Sequence, residues 1–401
     1  MERWQRMHDS LFINDCRTII RFNAFFDLFA FGAFHVNTVM MCFLSFSGLT
    51  ALYRAFQKYF PSKKNLLICA VFLAPALLFW SSGILKEGIL TFTMGFFIYS
   101  FLQIVLEKKY SAGIFAILIL SGLLFFVNKV YILFTLFPAL FCFVLFTKIN
   151  FRFKWLGFFV IHIVIIAGGL FFFKKVLNKD LAGEIITKQR DFINVAKGGL
   201  YLVRDTVIVR MEYSDKAQLI PTQKKDTVLI REGSKYEYWI NEQLYDTLRE
   251  KNSAKNPTEY FLMYQIEPAR STYYMPHLKP KLSSFLSYAP KAFLNVLLRP
   301  WFTEAENLYQ KACSAENIFY LLIILFCLIL GNYKTANWPL FWLGIFFAVN
   351  LFLIIGFTTP IAGALVRYKA PALPFLLMSA FSLVDVEKVK RIPFLKYLVA
   401  D

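Results

Sequence analysis

The apolar stretches of this chain carry few charged residues, and those they carry come in short groups. Lys86 and Glu87 stand side by side in FWSSGILKEGIL (79–90). Asn128 and Lys129 interrupt FFVNKVYILF (125–134), and Arg367, Tyr368 and Lys369 lie in TTPIAGALVRYKAPALPF (358–375). Arg299 precedes Pro300 and Trp301, with Glu304 and Glu306 just beyond, and Asp9 and Asp15 fall in MHDSLFIND (7–15). Cations beside carboxylates suit one kind of chemistry well. Arg and Lys stabilise negative charge growing on a phosphate or diphosphate leaving group, Arg by a planar fork that matches two oxygens. A carboxylate takes the proton from an attacking hydroxyl. The plain alternative for Lys86, Lys129 and Lys369 is snorkelling toward lipid headgroups. Arg367 stands between Pro360 and Pro371, where backbone hydrogen bonding is interrupted, and that favours a working role.

The segments that must position these residues read as membrane spans. The chain has 401 residues, 58% hydrophobic, with 47 Phe and a mean hydropathy of +0.52. Soluble domains are about 45–50% apolar. Apolar runs long enough for a bilayer core of about 30 Å recur. We expect an all-α polytopic integral membrane protein of about nine transmembrane helices, at 34–56, 65–82, 86–107, 111–128, 130–147, 155–174, 315–331, 337–356 and 366–384. The parts are then an outer segment with an interfacial helix (1–33), six spans (34–174), a soluble insert (175–314), three spans (315–384) and a tail (385–401). The insert is expected to be a small α+β unit. YLVRDTVIVRMEY (201–213) and DTVLIREGSKYEYWI (226–240) alternate like strands. LAGEIITKQRDFINVAK (181–197) and APKAFLNVLLRP (289–300) read as helices, the second lying along a membrane surface.

Charge sets the expected sides. Arg54, Lys58, Lys63 and Lys64, then Lys108 and Lys109, then Lys148, Arg152 and Lys154, then Lys334, then Lys388, Lys390, Arg391 and Lys396 occupy alternate connections. The other short connections hold only Lys86, Lys129, Arg367 and Lys369. The basic set belongs in the cytoplasm with the tail, and the insert belongs outside. The first residues then lie outside despite Arg3, Arg6, Arg17 and Arg21, with no cleavable signal. A preceding span absent from this chain would account for that. RTIIRFNAFFDLFAF (17–31) is expected to lie flat at the interface, with a tenth span at 18–34 as the alternative.

The net charge of +18 is explained by these loops, so no nucleic-acid partner is expected. Cys16, Cys42, Cys69, Cys142, Cys313 and Cys327 form no CxxC or disulfide framework. His8, His35, His162 and His277 share no ligand spacing, and His162 reads as a satisfied core histidine in spans otherwise almost free of charge. No P-loop, GxGxxG or HExxH is present, so no resident cofactor is expected, with a divalent metal left open.

The run from Arg17 through Phe56, the span ending APALLFWSSG and the span opening KEGI resemble the early spans of the GT-C glycosyltransferases. RYKAPALPFLL (367–377) resembles the RY-x-x-P-x-x-P pattern of that superfamily, here with Pro371 and Pro374. FWSSGILKEG, PKAFLNVLLRPW and GALVRYKAPALPF are also similar to membrane proteins of Bacteroidetes polysaccharide loci. The resemblance implies transfer of a sugar from a polyprenyl-phosphate-linked donor to a glycan acceptor at the outer face, which would be the periplasmic face of a bacterial inner membrane. It gives the catalytic carboxylate to Asp15 or Asp9. Phosphate contacts fall to Arg367, Arg299, Lys86 and Lys129, with Glu87, Glu304 and Tyr368 in support. The alternatives are an O-antigen or capsule polymerase, a non-catalytic assembly subunit, and a flippase.

Overall fold

The computed structural model describes residues 15–149, 154–175, 178, 180–205, 207–231, 233–240, 243–249 and 259–399. The chain divides into a helical unit, which includes residues 11–181, 286–356 and 363–401, and a unit built on a sheet, which includes 182–285 and 357–362.

The helical unit begins with α1 (Asp15–Ala30), ended by Phe31 and Gly32, both at positive φ (50° and 78°). Across that turn Asn37 Nδ2 donates to Asp27 Oδ1 at 2.6 Å. There follow α2 (Phe34–Phe56), α3 (Lys64–Phe72), α4 (Pro75–Ser81), α5 (Lys86–Val105), α6 (Ala112–Lys148) and α7 (Lys154–Lys175). Among the described residues five helices are long and apolar enough to cross a membrane: α2 with the turn after it, α5, α6, and two later ones, α10 and α11, bounded below.

One expected span is bent, and two others follow each other with no loop between them. The 65–82 segment is α3 and α4, bent by 48° at Leu73–Ala74. The cause is Pro75, which disfavours helical backbone in the residue before it: Ala74 sits at φ −75°, ψ 106°. The 111–128 and 130–147 segments form one assigned helix, α6, broken at Lys129 (φ −147°, ψ 76°). The break is a reversal. α2 and α5 run parallel, since Met41 lies by Gly88 and Gly48 lies by Phe92 and Gly95. In the first arm of α6, Phe125 packs on Phe97 of α5; in the second, Phe143 packs on Phe56 at the far end of α2. Both arms therefore run back from Lys129 toward the same end.

The sheet unit starts with α8 (Leu181–Lys197) and seven strands: β1 (Gly199–Arg204), β2 (Val207–Met211), β3 (Leu219–Pro221), β4 (Thr227–Ile230), β5 (Lys235–Ile240), β6 (Gln243–Arg249) and β7 (Glu259–Ile266). They form one antiparallel sheet in the order β3-β4-β7-β1-β2-β5-β6. Strand alternation puts Leu200, Leu202, Val209, Met211, Val228 and Ile230 on one buried face. Arg210 points to the opposite face and donates to the carbonyls of Asn194 (3.0 Å) and Gly198 (2.7 Å) at the end of α8. The unit is closed by a late segment of chain. Thr272 bridges Ile361, Tyr273 N donates to Pro360 O at 3.0 Å, and Tyr273 Oη donates to Thr359 O at 2.7 Å.

The chain returns through α9 (Leu282–Leu298), α10 (Leu308–Ile329), α11 (Trp338–Thr358), α12 (Ala362–Lys369), α13 (Leu373–Leu383) and α14 (Val386–Lys390). From Leu286 on, α9 belongs to the helical unit, where Ala292 packs on Gly356. The expected span 366–384 is α12 and α13 joined by a 3₁₀ turn at 370–372, with Pro371 at its start. Every residue of α13 is buried, which makes it the central helix.

Basic residues cluster at one end of the unit. Lys63 Nζ donates to Ser382 O (3.1 Å), Asp385 N donates to Leu330 O (2.9 Å), and Lys58 pairs with Glu107. The break at Lys129 and the start of α5 lie at the other.

The α2–α5 crossing has no room for a side chain. A Cβ on Gly95 would meet Gly48 O at 1.9 Å, whereas one on Gly113 or Gly168 would meet nothing within 4 Å. Gly95→Val should therefore destabilise the fold by at least the 1–3 kcal/mol typical of overpacking, roughly. Gly168→Ala should leave stability unchanged or slightly raised. Thermal unfolding of the purified variants checks both, and equal midpoints would refute the close contact.

Candidate functional site

Glu87 lies in the first turn of α5, where a helix N-terminus favours negative charge. Leu85, extended at φ −129°, ψ 156°, turns the chain into that helix and gives it no side-chain cap. Arg367 lies in the last turn of α12, where a cation is favoured. Lys129 sits at the reversal of α6. The three meet. Arg367 Nε donates to Glu87 Oε1 at 2.7 Å and its Nη2 to Oε2 at 2.5 Å; Lys129 Nζ donates to Oε1 at 2.7 Å. The Arg–carboxylate contact is bidentate, the strong geometry for such pairs. Beside it Asn128 Nδ2 donates to Lys86 O at 3.1 Å, tying the reversal to the start of α5. The Arg367 guanidinium lies over the Trp80 ring (5.4 Å) and the Lys129 ammonium over the Tyr368 ring (4.8 Å).

Burial divides the group. The side chains of Glu87 and Lys129 are 2% and 7% exposed, and that of Arg367 is 27% exposed. One carboxylate faces two cations, so the cluster carries net positive charge, with Lys86 next to it in sequence. Its open edge is the guanidinium, which has spent two of its five N–H donors on Glu87.

This geometry corrects several expectations. Lys129 does not snorkel, and it does not offer its charge outward: its ammonium is enclosed and committed to Glu87. Glu87 is the centre of the group rather than a supporting residue. The fork of Arg367 is occupied by a protein carboxylate, so only its remaining edge can meet a ligand. Arg299 is held by different partners, donating through Nε to Asn295 Oδ1 (3.0 Å) and pairing through Nη1 with Glu304 (2.6 Å). Asp9 lies outside the described residues. Asp15 is the first residue of α1, and its side chain also lies outside them.

A second buried polar group adjoins the first along the chain. Lys369, 3% exposed, donates to Val296 O (3.0 Å), Leu297 O (3.4 Å) and Asn317 Oδ1 (2.6 Å). Asn317 Nδ2 in turn donates to the carbonyls of Leu298 and Arg299, each at 3.0 Å. These contacts satisfy the unpaired carbonyls at the end of α9. Lys369 is thus a helix cap rather than a headgroup anchor. Glu316 does the converse for α4: its Oε1 accepts from Ala76 N at 2.8 Å and from Tyr320 Oη at 2.5 Å. The interior therefore holds more charge than the sequence reading allowed. His162 is buried as expected, its Nε2 within 3.0–3.4 Å of the Asn350 side chain, but its buried Nδ1 makes no hydrogen bond among the described residues, so it is only half satisfied.

Sequence reasoning missed Trp80 and Glu316. Trp80 stands in the same FWSSGILKEG stretch as Glu87, and Glu316 is a lone carboxylate entering an apolar helix, a signal in itself. Among the described residues no group of three or more His, Cys, Asp or Glu is placed to hold a metal. Comparison with protein-family models, with curated proteins and with solved structures finds no match to this chain.

Breaking a buried ion pair costs more than replacing it whole, because the remaining charge is stranded. Glu87→Gln should therefore lower stability by roughly 3–5 kcal/mol, and Lys129→Met added to Glu87→Gln should recover part of that loss. Unfolding midpoints of the two single variants and the double variant form a cycle. Strictly additive effects would show that Glu87 and Lys129 are not coupled.

Proposed function

We propose that this chain is a multi-pass membrane protein that transfers a sugar from a polyprenyl-phosphate-linked donor to a glycan hydroxyl, at the face opposite its basic end. The membrane part of the reading has nine crossings: α2, the bent α3–α4 pair, α5, the two arms of α6, α7, α10, α11, and α12 with α13. Five long apolar helices support it, as does the alternation of direction along the helical unit. Basic residues gather where α2, α5 and α13 end, which supports a cytoplasmic position for that end and an outer position for the insert. Length favours a crossing least for α7, whose apolar stretch Leu156–Phe172 is short.

The observation that carries the chemical part is the Glu87 cluster. It holds two cations to one carboxylate, and on the membrane reading such surplus charge is costly unless it serves an anion. Its open edge belongs to an arginine set at a break between helices, beside an aromatic ring. In the reaction proposed, the acceptor oxygen bonds to the anomeric carbon as the bond from that carbon to the phosphate oxygen breaks. The phosphate leaves with the electron pair against the Arg367 edge and Lys86. The acceptor proton passes to a carboxylate, the role the family resemblance gives to Asp15 or Asp9. Glu87 is not that base, since cations hold both of its oxygens.

Two measurements test this. A reporter fused after residue 390 should be active only in a cytoplasmic format and one near residue 250 only in an exported format; the reverse would put the cluster on the wrong face. Arg367→Lys retains charge for Glu87 but loses the fork, and should lower glycan product roughly 10²–10³-fold while lipid-linked sugar accumulates. Product at the normal level, from an equal amount of folded protein, would take Arg367 out of the chemistry and leave it as a tie between helices.

A further inference from the structure

The chain beyond α13 does not trail away. Val389 and Val399 are buried at 3% and 5%, Lys388 Nζ donates to Gly331 O at 3.2 Å, and Asn65 Nδ2 donates to Tyr397 O at 2.7 Å. Residues 386–399 are thus a folded strap across the basic end of the helical unit, held beneath the start of α3. On this anchored strap the two large rings face out: Phe394 is 90% exposed and Tyr397 72%. Cations flank them, with Lys390 and Arg391 before Phe394 and Lys396 between the two rings. Of the nearby acids, Asp385 is used internally, accepting from Glu387 N at 3.0 Å and from Asn332 Nδ2 at 3.2 Å, and the exposed Glu387 pairs with Lys390 at 3.7 Å, which leaves Arg391 and Lys396 as the cations nearest the rings.

A fixed backbone that presents two aromatic rings among cations, directly after a fully buried helix ends at Leu383, has the composition of a membrane interface. We infer that the strap 386–399 binds the surface of an anionic bilayer. Phe394 and Tyr397 enter the headgroup–acyl boundary, and Arg391 and Lys396 engage lipid phosphates. The inference rests on the membrane reading above and adds to it a preference for acidic lipid at one defined segment. A protein partner for this surface would need to match the same rings and cations. The bilayer is favoured because α13 stops immediately before the strap, which places it at the level where headgroups begin.

The test uses the full chain in nanodiscs of phosphatidylcholine, with or without phosphatidylglycerol. Trypsin cleaves after Lys390, Arg391 and Lys396, and mass spectrometry reads the released C-terminal peptides. With the anionic lipid, at low salt, cleavage should be roughly tenfold slower than in the zwitterionic disc. High salt should abolish that protection, as should Phe394→Ser with Tyr397→Ser. Equal cleavage rates for the unaltered chain in the two discs would overturn the inference, with no variant needed. Release of the protein from native membranes by alkaline carbonate would instead refute the membrane reading, and the inference with it.

Discussion

The organisation of the helical unit turns on one buried carboxylate. Glu87 is almost fully enclosed, and an unpaired charge there would be untenable. Its partners come from chain segments separated by long stretches of sequence: a lysine at the reversal of α6 and an arginine at the end of α12. Satisfying it therefore fixes three helix ends together. The same demand propagates along α12. Arg367 and Lys369, two residues apart, reach different partners, one a carboxylate on α5 and the other the carbonyl end of α9. A short helix tied from both sides, followed by a proline-marked turn, places the arginine without requiring α12 and α13 to form one straight span.

Packing carries that placement through the unit. Glycines allow three helix pairs to approach to backbone contact. Gly48 and Gly95 bring α2 against α5. A Cβ on Gly344 would meet Phe375 O at 2.1 Å, and one on Gly356 would meet Ala292 O at 2.3 Å. The first contact fixes α5, and so the height of Glu87. The other two fix α11 against α13 and against α9, the helix whose carbonyl end Lys369 caps. Phenylalanines fill what remains, as where Phe375 meets both Phe56 and Phe347 edge-on. Rings of this size contribute large apolar area with few rotatable bonds, which suits a core that has to hold buried charge in a defined position.

Much of this was legible in the sequence, for identifiable reasons. The ends of α2 and the start of α5 follow from where apolar runs meet Arg54 and Lys86. The strands around 201–211 and 227–240 follow from period-two alternation, and α8 from its helical rhythm. The convergence of Lys86, Glu87, Lys129 and Arg367 was legible because charge counting put them on one side. Their pairing was not, because whether two charges meet depends on helix rotation, which periodicity fixes poorly in helices that are apolar all round. Lys369 was misread for the same reason: nothing local says that a lysine two residues from an arginine turns inward to cap α9. The bend at Ala74 could have been read from Pro75. Glu316 could have been noticed as a carboxylate with no place in an apolar helix. The seven-stranded sheet could not be assembled beyond its local hairpins, since β7 pairs with β1 and β4 across long intervals of sequence.

The late segment that closes the sheet unit also bears on the order of synthesis. Thr272 and Tyr273 are made before α9, but the residues they pair with, Thr359 to Ile361, follow α11. As the chain emerges, all seven strands are complete while this edge has nothing to bond to. Two long apolar helices must be made before the last hydrogen bonds of the sheet unit can form. Domains tend to fold as units while their chains are made, so this unit must wait for its own late segment, 359–361, before its last hydrogen bonds form. A chain that stopped anywhere between α9 and the end of α11 would leave Thr272 and Tyr273 without their partners, and the residues that lead into Arg367 would be lost as well.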